Sequence, residues 1–191
     1  LTDLHITNVL DDLGEQGRNV IHHTFRPTAD DAGECSHVAA PSLNLRPAVQ
    51  TLTYTGRPRV ITQFDIHALV LLAQNADAAI AMECAVGDTL VANMAMLRVH
   101  GAAKPIPEPM LMRTVRLARA RTFAQDPKYA IRLLVDIAIR ALSPAVNDPT
   151  TAVQAMDQIE DLLQRLGRSE LDAGRAYDAR GKLRLIFPMP T

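Results

Sequence analysis

Apolar positions between Asp126 and Leu166 fall into two helical runs separated by a short polar turn, Ser143-Pro144-Ala145-Val146-Asn147-Asp148. The spacing predicts helices over Pro127–Leu142 and Pro149–Leu166, each opened by an Asp-Pro pair, Asp126-Pro127 and Asp148-Pro149. Aspartate accepts a hydrogen bond from the free amides of a first turn, and proline lacks the donor that would go unpaired there. Gly167 supplies a natural stop. In the first helix Ile131, Leu133, Leu134, Val135, Ile137, Ala138, Ile139, Ala141 and Leu142 cover nearly the whole circumference, so it is expected to be central. The second helix places Ala152, Met156, Ile159, Leu163 and Leu166 on a seam against a near-antiparallel neighbour, with Asp157, Glu160 and Asp161 outside.

Elsewhere the period changes repeatedly. Leu4, Val9, Leu13, Val20 and Ile21 predict an amphipathic helix to about His23, with Thr2 or Asp3 as its N-cap. Residues 26–47 have no period and read as a long, mobile surface loop. Ala48–Thr55 and Arg59–Phe64 read as strands around Gly56-Arg57-Pro58, and Asp65 caps a short helix, Ile66–Gln74. Ala78–Cys84 alternates, and Val86-Gly87-Asp88 turns the chain into Thr89–Ala92 and Met96–Val99. After a linker marked by Pro105, Pro107 and Pro109, helical spacing predicts Met110–Phe123, which would offer Arg113, Arg116, Arg119 and Arg121 to the acidic face of the last helix. A terminal strand, Leu183–Phe187, follows a turn at Asp178-Ala179-Arg180-Gly181.

The fold class expected from this order is α+β, a small β unit (a barrel-like sandwich) with a short helix, packed with an antiparallel helical bundle. The expected divisions are a helix at residues 1–25 following a membrane region, the loop 26–47, the β-rich unit 48–104, the helical hairpin or bundle 105–175, and a strand and tail at 176–191.

Composition narrows the partners. Twenty Lys and Arg against 21 Asp and Glu in 191 residues leave no global charge to draw the chain to nucleic acid, and no nucleic-acid partner is expected. Cys35 and Cys84 have no CxxC or Cys-His spacing and read as free thiols, compatible with a reducing compartment. The six histidines fall in separate elements or, at His22 and His23, on different sides of one helix, so neither a metal site nor a cofactor is expected. No apolar run approaches the roughly 20 residues of a membrane-spanning helix, and the chain begins at Leu1 inside a helical pattern, as a piece of something longer would.

Candidate chemistry gathers on the helical pair. Arg132, Asp136 and Arg140 are spaced by four on one stripe, where Asp136 can reach both arginines. The stripe is either a solvated or interface edge, or, together with Arg121, a guanidinium surface for an anion. Ser143, Asn147, Asp148, Thr150 and Thr151 crowd polar groups around a helix N-terminus. That crowding is either capping chemistry or a small-anion or hydrolase-like site, though the turn has neither a nucleophile elbow nor a Gly-rich phosphate loop.

The stretches Arg121-Thr122-Phe123-Ala124-Gln125-Asp126-Pro127-Lys128-Tyr129-Ala130, Leu134-Val135-Asp136-Ile137-Ala138 and Ala141-Leu142-Ser143-Pro144-Ala145-Val146-Asn147-Asp148-Pro149-Thr150-Thr151-Ala152 together resemble the signature of a bacterial family of predicted membrane proteins, domain of unknown function 2254. Gln63-Phe64-Asp65, Leu69, Leu72-Ala73 and Val86-Gly87-Asp88-Thr89-Leu90 are similar to the same family's β region. The resemblance implies an inner-membrane protein with transmembrane helices upstream of Leu1, which would be this domain's first partner; with an even number of spans and a cytoplasmic N-terminus, the soluble domain is expected to face the cytoplasm, in keeping with the free thiols. It implies no reaction. The β unit also resembles, more weakly, biotinyl and lipoyl carriers, but Val86–Val99 holds no lysine for an attached arm. The expected role is therefore non-catalytic, namely homo-oligomeric assembly or sensing of a small anion, with a hydrolase-like enzyme using Ser143–Thr151 as the alternative.

Overall fold

The structure, a computed structural model, describes residues 2–25, 45–123, 125–169, 171 and 174–188, with the side chains of 2–5 outside the description. The loop expected at 26–47 lies outside these residues except for 45–47, as do Cys35 and His37. The chain divides into two compact units, Leu1–Thr28 with Thr122–Leu171, and Ala29–Arg121 with Asp172–Thr191.

The first unit is three helices, α1 (Thr2–Thr24), α4 (Pro127–Ala141) and α5 (Pro149–Gly167), each packed on the other two. Its core takes Leu10, Val20 and Ile21 from α1, Ala130, Leu134 and Ala138 from α4, and Ala152, Ala155 and Leu162 from α5. Small residues dominate where the axes approach. At Gly17 an added Cβ would lie 2.7 Å from Leu162 Cδ1 and 3.1 Å from Ala130 Cβ, so bare backbone sits against both neighbours.

Among its described residues the second unit holds two short helices, α2 (Ile66–Asn75) and α3 (Glu108–Met112), and eight strands: β1 (Ala48–Thr53), β2 (Arg59–Phe64), β3 (Ala79–Met82), β4 (Thr89–Leu90), β5 (Ala95–His100), β6 (Val115–Ala118), β7 (Arg175–Tyr177) and β8 (Leu183–Ile186). Five strands are ordered β1-β5-β3-β8-β7, with β3 and β8 parallel and the other neighbours antiparallel; three are ordered β4-β2-β6. Among the described residues neither sheet closes into a barrel. Leu52, Ile61, Leu69, Ile80, Leu97 and Leu111, drawn from both sheets and both helices, share one buried cluster.

The α+β class stands, with several local corrections. Strands β1 and β2 do not pair with each other but join different sheets, and the Tyr54 hydroxyl donates to Arg57 O across the link between them. The spacing of Met110–Phe123 misleads. The helix there ends at Met112, the Thr114 hydroxyl donates to Leu111 O at 2.7 Å, and Val115–Ala118 pairs with β2. A short apolar run fits either period, and a waiting strand edge decides. Strand β7 carried no sequence signal. In α5 the buried seam runs through Ala155 and Leu162, one position from the expected Met156 and Leu163, which are exposed.

Candidate functional site

The polar turn between α4 and α5 is built from backbone geometry outward. Leu142 N donates to Ala138 O at 3.0 Å and Ser143 N to Arg140 O at 3.1 Å, which finishes α4. Asn147 N then donates to Ser143 O and Asp148 N to Ala141 O, both at 2.8 Å, folding the turn back on the helix end. Asn147 adopts φ +48°, a left-handed conformation that asparagine tolerates better than most residues. Pro149 then opens α5, and Asp148 caps it: Thr151 N donates to Asp148 Oδ1 at 3.1 Å, and the Thr151 hydroxyl to Oδ2 at 2.5 Å. The Thr151 hydroxyl, followed by its amide, holds the Asp148 carboxyl below the usual range. At the other end of the pair Asp126 repeats the device, Oδ1 accepting from Tyr129 N at 3.1 Å.

Ser143, Asn147, Asp148, Thr150 and Thr151 therefore come together around one turn, with Thr151 buried, Ser143 and Asp148 half-buried, and Asn147 and Thr150 exposed. The arginine stripe lies along α4 in solvent: Arg132 Nε donates to Asp136 Oδ1 at 3.1 Å, their side chains 70% and 52% exposed. Arg140 is exposed on the same stripe. Arg121 belongs to the second unit, where its Nε donates to Gly87 O at 3.0 Å. The near-continuous apolar circumference of α4 is only partly covered, since Ile139 and Leu142 are 64% and 58% exposed.

Two polar clusters escaped sequence reasoning. Arg18 of α1 donates to Gln158 Oε1 at 3.0 Å and to Asp161 Oδ2 at 3.2 Å, so of the acidic residues of α5 it is Asp161 that α1 meets. The arginines expected to meet the acidic face include Arg116, which stands on β6, and Arg113, which ends α3. In the second unit Arg184 is buried between Asp178, Asp77 and the carbonyl of Ala78. The clue was an Arg alternating with Leu183 and Leu185 in a short strand, a charge placed where a buried face was due.

Among the described residues no three His, Cys, Asp or Glu side chains gather as a metal site, and no helix is long and apolar enough to cross a membrane. Eighty residues are 38% identical to the uncharacterized protein Rv1290c of Mycobacterium tuberculosis (strain ATCC 25618 / H37Rv), and to the uncharacterized protein Mb1321c of Mycobacterium bovis. The matched stretch is 42% of this chain and 15% of each relative, so the chain spans a small part of their length. No solved structure matches the chain. Residues 1–191 match the family described as "Predicted membrane protein (DUF2254)", and the chain belongs to that family of predicted membrane proteins.

Proposed function

We propose that this chain is a water-exposed, cytoplasm-facing domain of a membrane protein, and that it serves assembly rather than catalysis. The observation behind this reading is the exposure of large apolar side chains on the helical unit, Ile139, Leu142, Met156 and Leu163 among them, each half exposed or more. Contiguous apolar patches of that kind mark interaction sites. A small anion at the turn would have to displace the Asp148 carboxylate from the first-turn amide of Thr151, and a hydrolase would have to recruit a Thr151 hydroxyl already committed to that carboxylate. Both alternatives are weaker for that reason. The cytoplasmic side suits Cys84, a buried free thiol.

The test uses the full parent protein in detergent, its mass measured by light scattering with and without this domain. Loss of the oligomer on deletion supports the reading, and an unchanged oligomer overturns it. Protease added to intact cells should spare the domain, and its cleavage from outside would overturn the sidedness.

A further inference from the structure

The apolar side chains left exposed on the α4–α5 hairpin lie on one face, turned away from α1. On α5, Gln154, Gln158 and Asp161 are the residues that meet Thr7, Asp11 and Arg18 of α1. Val153, Met156 and Leu163, 51%, 50% and 53% exposed, lie across the helix from them. On α4 it is Ala130 that adjoins Gly17 of α1, and Ile139 and Leu142 lie well round the helix from it. At about 100° per residue, the exposed apolar residues are reached from the buried seam by turning in the same sense in each helix. Because the two helices run antiparallel, those turns end on the same side of the pair. Val146 in the turn, 53% exposed, closes the strip.

We propose that this face packs against the same face of a second copy of the chain, completing an antiparallel four-helix bundle. The charges beside the strip select that partner. Along the α4 edge, next to Ile139, stands Arg132 with its partner Asp136, and along the α5 edge stand Asp157 and Glu160, all exposed. A two-fold axis parallel to the helices lays α4 of one copy along α5 of the other, so each arginine edge meets an acidic edge. A two-fold axis across the helices would set arginine edge against arginine edge. Two helices side by side, roughly 20 Å by 25 Å, offer on the order of 500 Å² per copy, at the weak end of specific interfaces. The proposal rests on the assembly reading, in which anchoring to a common membrane raises the effective concentration and makes a weak contact sufficient.

The test is sedimentation equilibrium of this chain up to submillimolar concentration. The unaltered chain should dimerise, and Met156→Glu, at an exposed position, should be monomeric with an unchanged circular-dichroism spectrum and melting temperature. Arg132→Glu should weaken the dimer by about tenfold or more, and adding Asp157→Arg/Glu160→Arg in the same chain should restore it. A chain that stays monomeric overturns the proposal, as does a dimer indifferent to Met156→Glu or to the arginine reversal. If the parent still loses its oligomer when the domain is deleted, the assembly reading survives that failure and only this face is wrong.

Discussion

Arg184 and Asp178 form a buried ion pair, Nε to Oδ2 at 2.8 Å, with their side chains 6% and 1% exposed. Asp178 Oδ1 also accepts from Arg180 N and Lys182 N, each at 2.9 Å, so one carboxylate both folds the β7–β8 turn and neutralises a guanidinium inside the strand. A buried charge that loses its partner is strongly destabilising because nothing replaces its lost hydration. Asp178→Asn preserves an acceptor for the turn but removes the charge, and Asp178→Ala removes both. Thermal unfolding should begin earlier in both variants, with alanine the worse. An unaltered midpoint for Asp178→Asn would mean that Asp77 alone can hold Arg184.

Acid should weaken the same cluster. Hydrogen bonds from Lys182 and then Arg184 lower the Asp77 carboxyl to about 2 from the ordinary 3.8. Asp178 is lowered mainly by Arg184, and Asp161 by Arg165. A carboxyl that ionises more readily when folded contributes stability above its unfolded pKa, and loses that contribution as pH falls through its folded pKa. The melting temperature should therefore change little in this respect from neutral pH to roughly pH 4, then fall toward pH 2. Asp77→Asn is the informative variant, because asparagine tolerates the φ of +45° at this position while removing the titration. It should start lower at neutral pH and lose less on acidification. A parallel pair of melting curves across that range would show that Asp77 does not contribute.

Helices α4 and α5 were legible because their signals are local: the Asp-Pro starts, the polar turn and a sustained helical period. The turn residues Ser143–Thr151 were legible as a cluster for the same reason. The arginine partners were not. Asp161 is met by Arg18, 143 positions away, and Arg184 reaches Asp77 across 107, so no spacing rule connects them. The α5 seam slipped because Ala155 and Leu162 form a second stripe beside Met156 and Leu163, and packing against α4 and α1 together determines which stripe faces inward. Strand β6 was hidden by an apolar run that fits a helix until its pairing with β2 is seen.

Two glycines of α1 should respond differently to alanine. In a helix interior the change gains about 1 kcal/mol from backbone entropy. At Gly17 the new methyl would sit 2.7 Å and 2.8 Å from the two methyls of Leu162, which is fully buried and cannot withdraw. Overpacking of this kind costs about 1 to 3 kcal/mol, so Gly17→Ala should be neutral to destabilising by about 2 kcal/mol. At Gly14 the obstacle is the Gln158 amide, at the end of a flexible, half-buried side chain. Gly14→Ala should be close to neutral, the entropy gain offsetting the Arg18 and Asp11 hydrogen bonds that the amide gives up as it swings aside. Denaturant unfolding of both variants gives the comparison, and a Gly17→Ala more stable than Gly14→Ala would contradict the close approach of α1 and α5.

Asp136 lies on the stripe that the sequence left as either a solvated or interface edge or a guanidinium surface for an anion. Its pair with Arg132 is open to water on both sides. An exposed i,i+4 pair contributes about 0.3 to 0.5 kcal/mol, and alanine recovers roughly that much in helix propensity over aspartate. Asp136→Ala should therefore leave the melting temperature of the chain almost unchanged. Asp126→Ala, which removes the cap of the same helix, should cost about 1 to 2 kcal/mol. If Asp136→Ala proved as damaging as Asp126→Ala, the α4 stripe would have to be covered in solution, and the arginine edge would already be engaged.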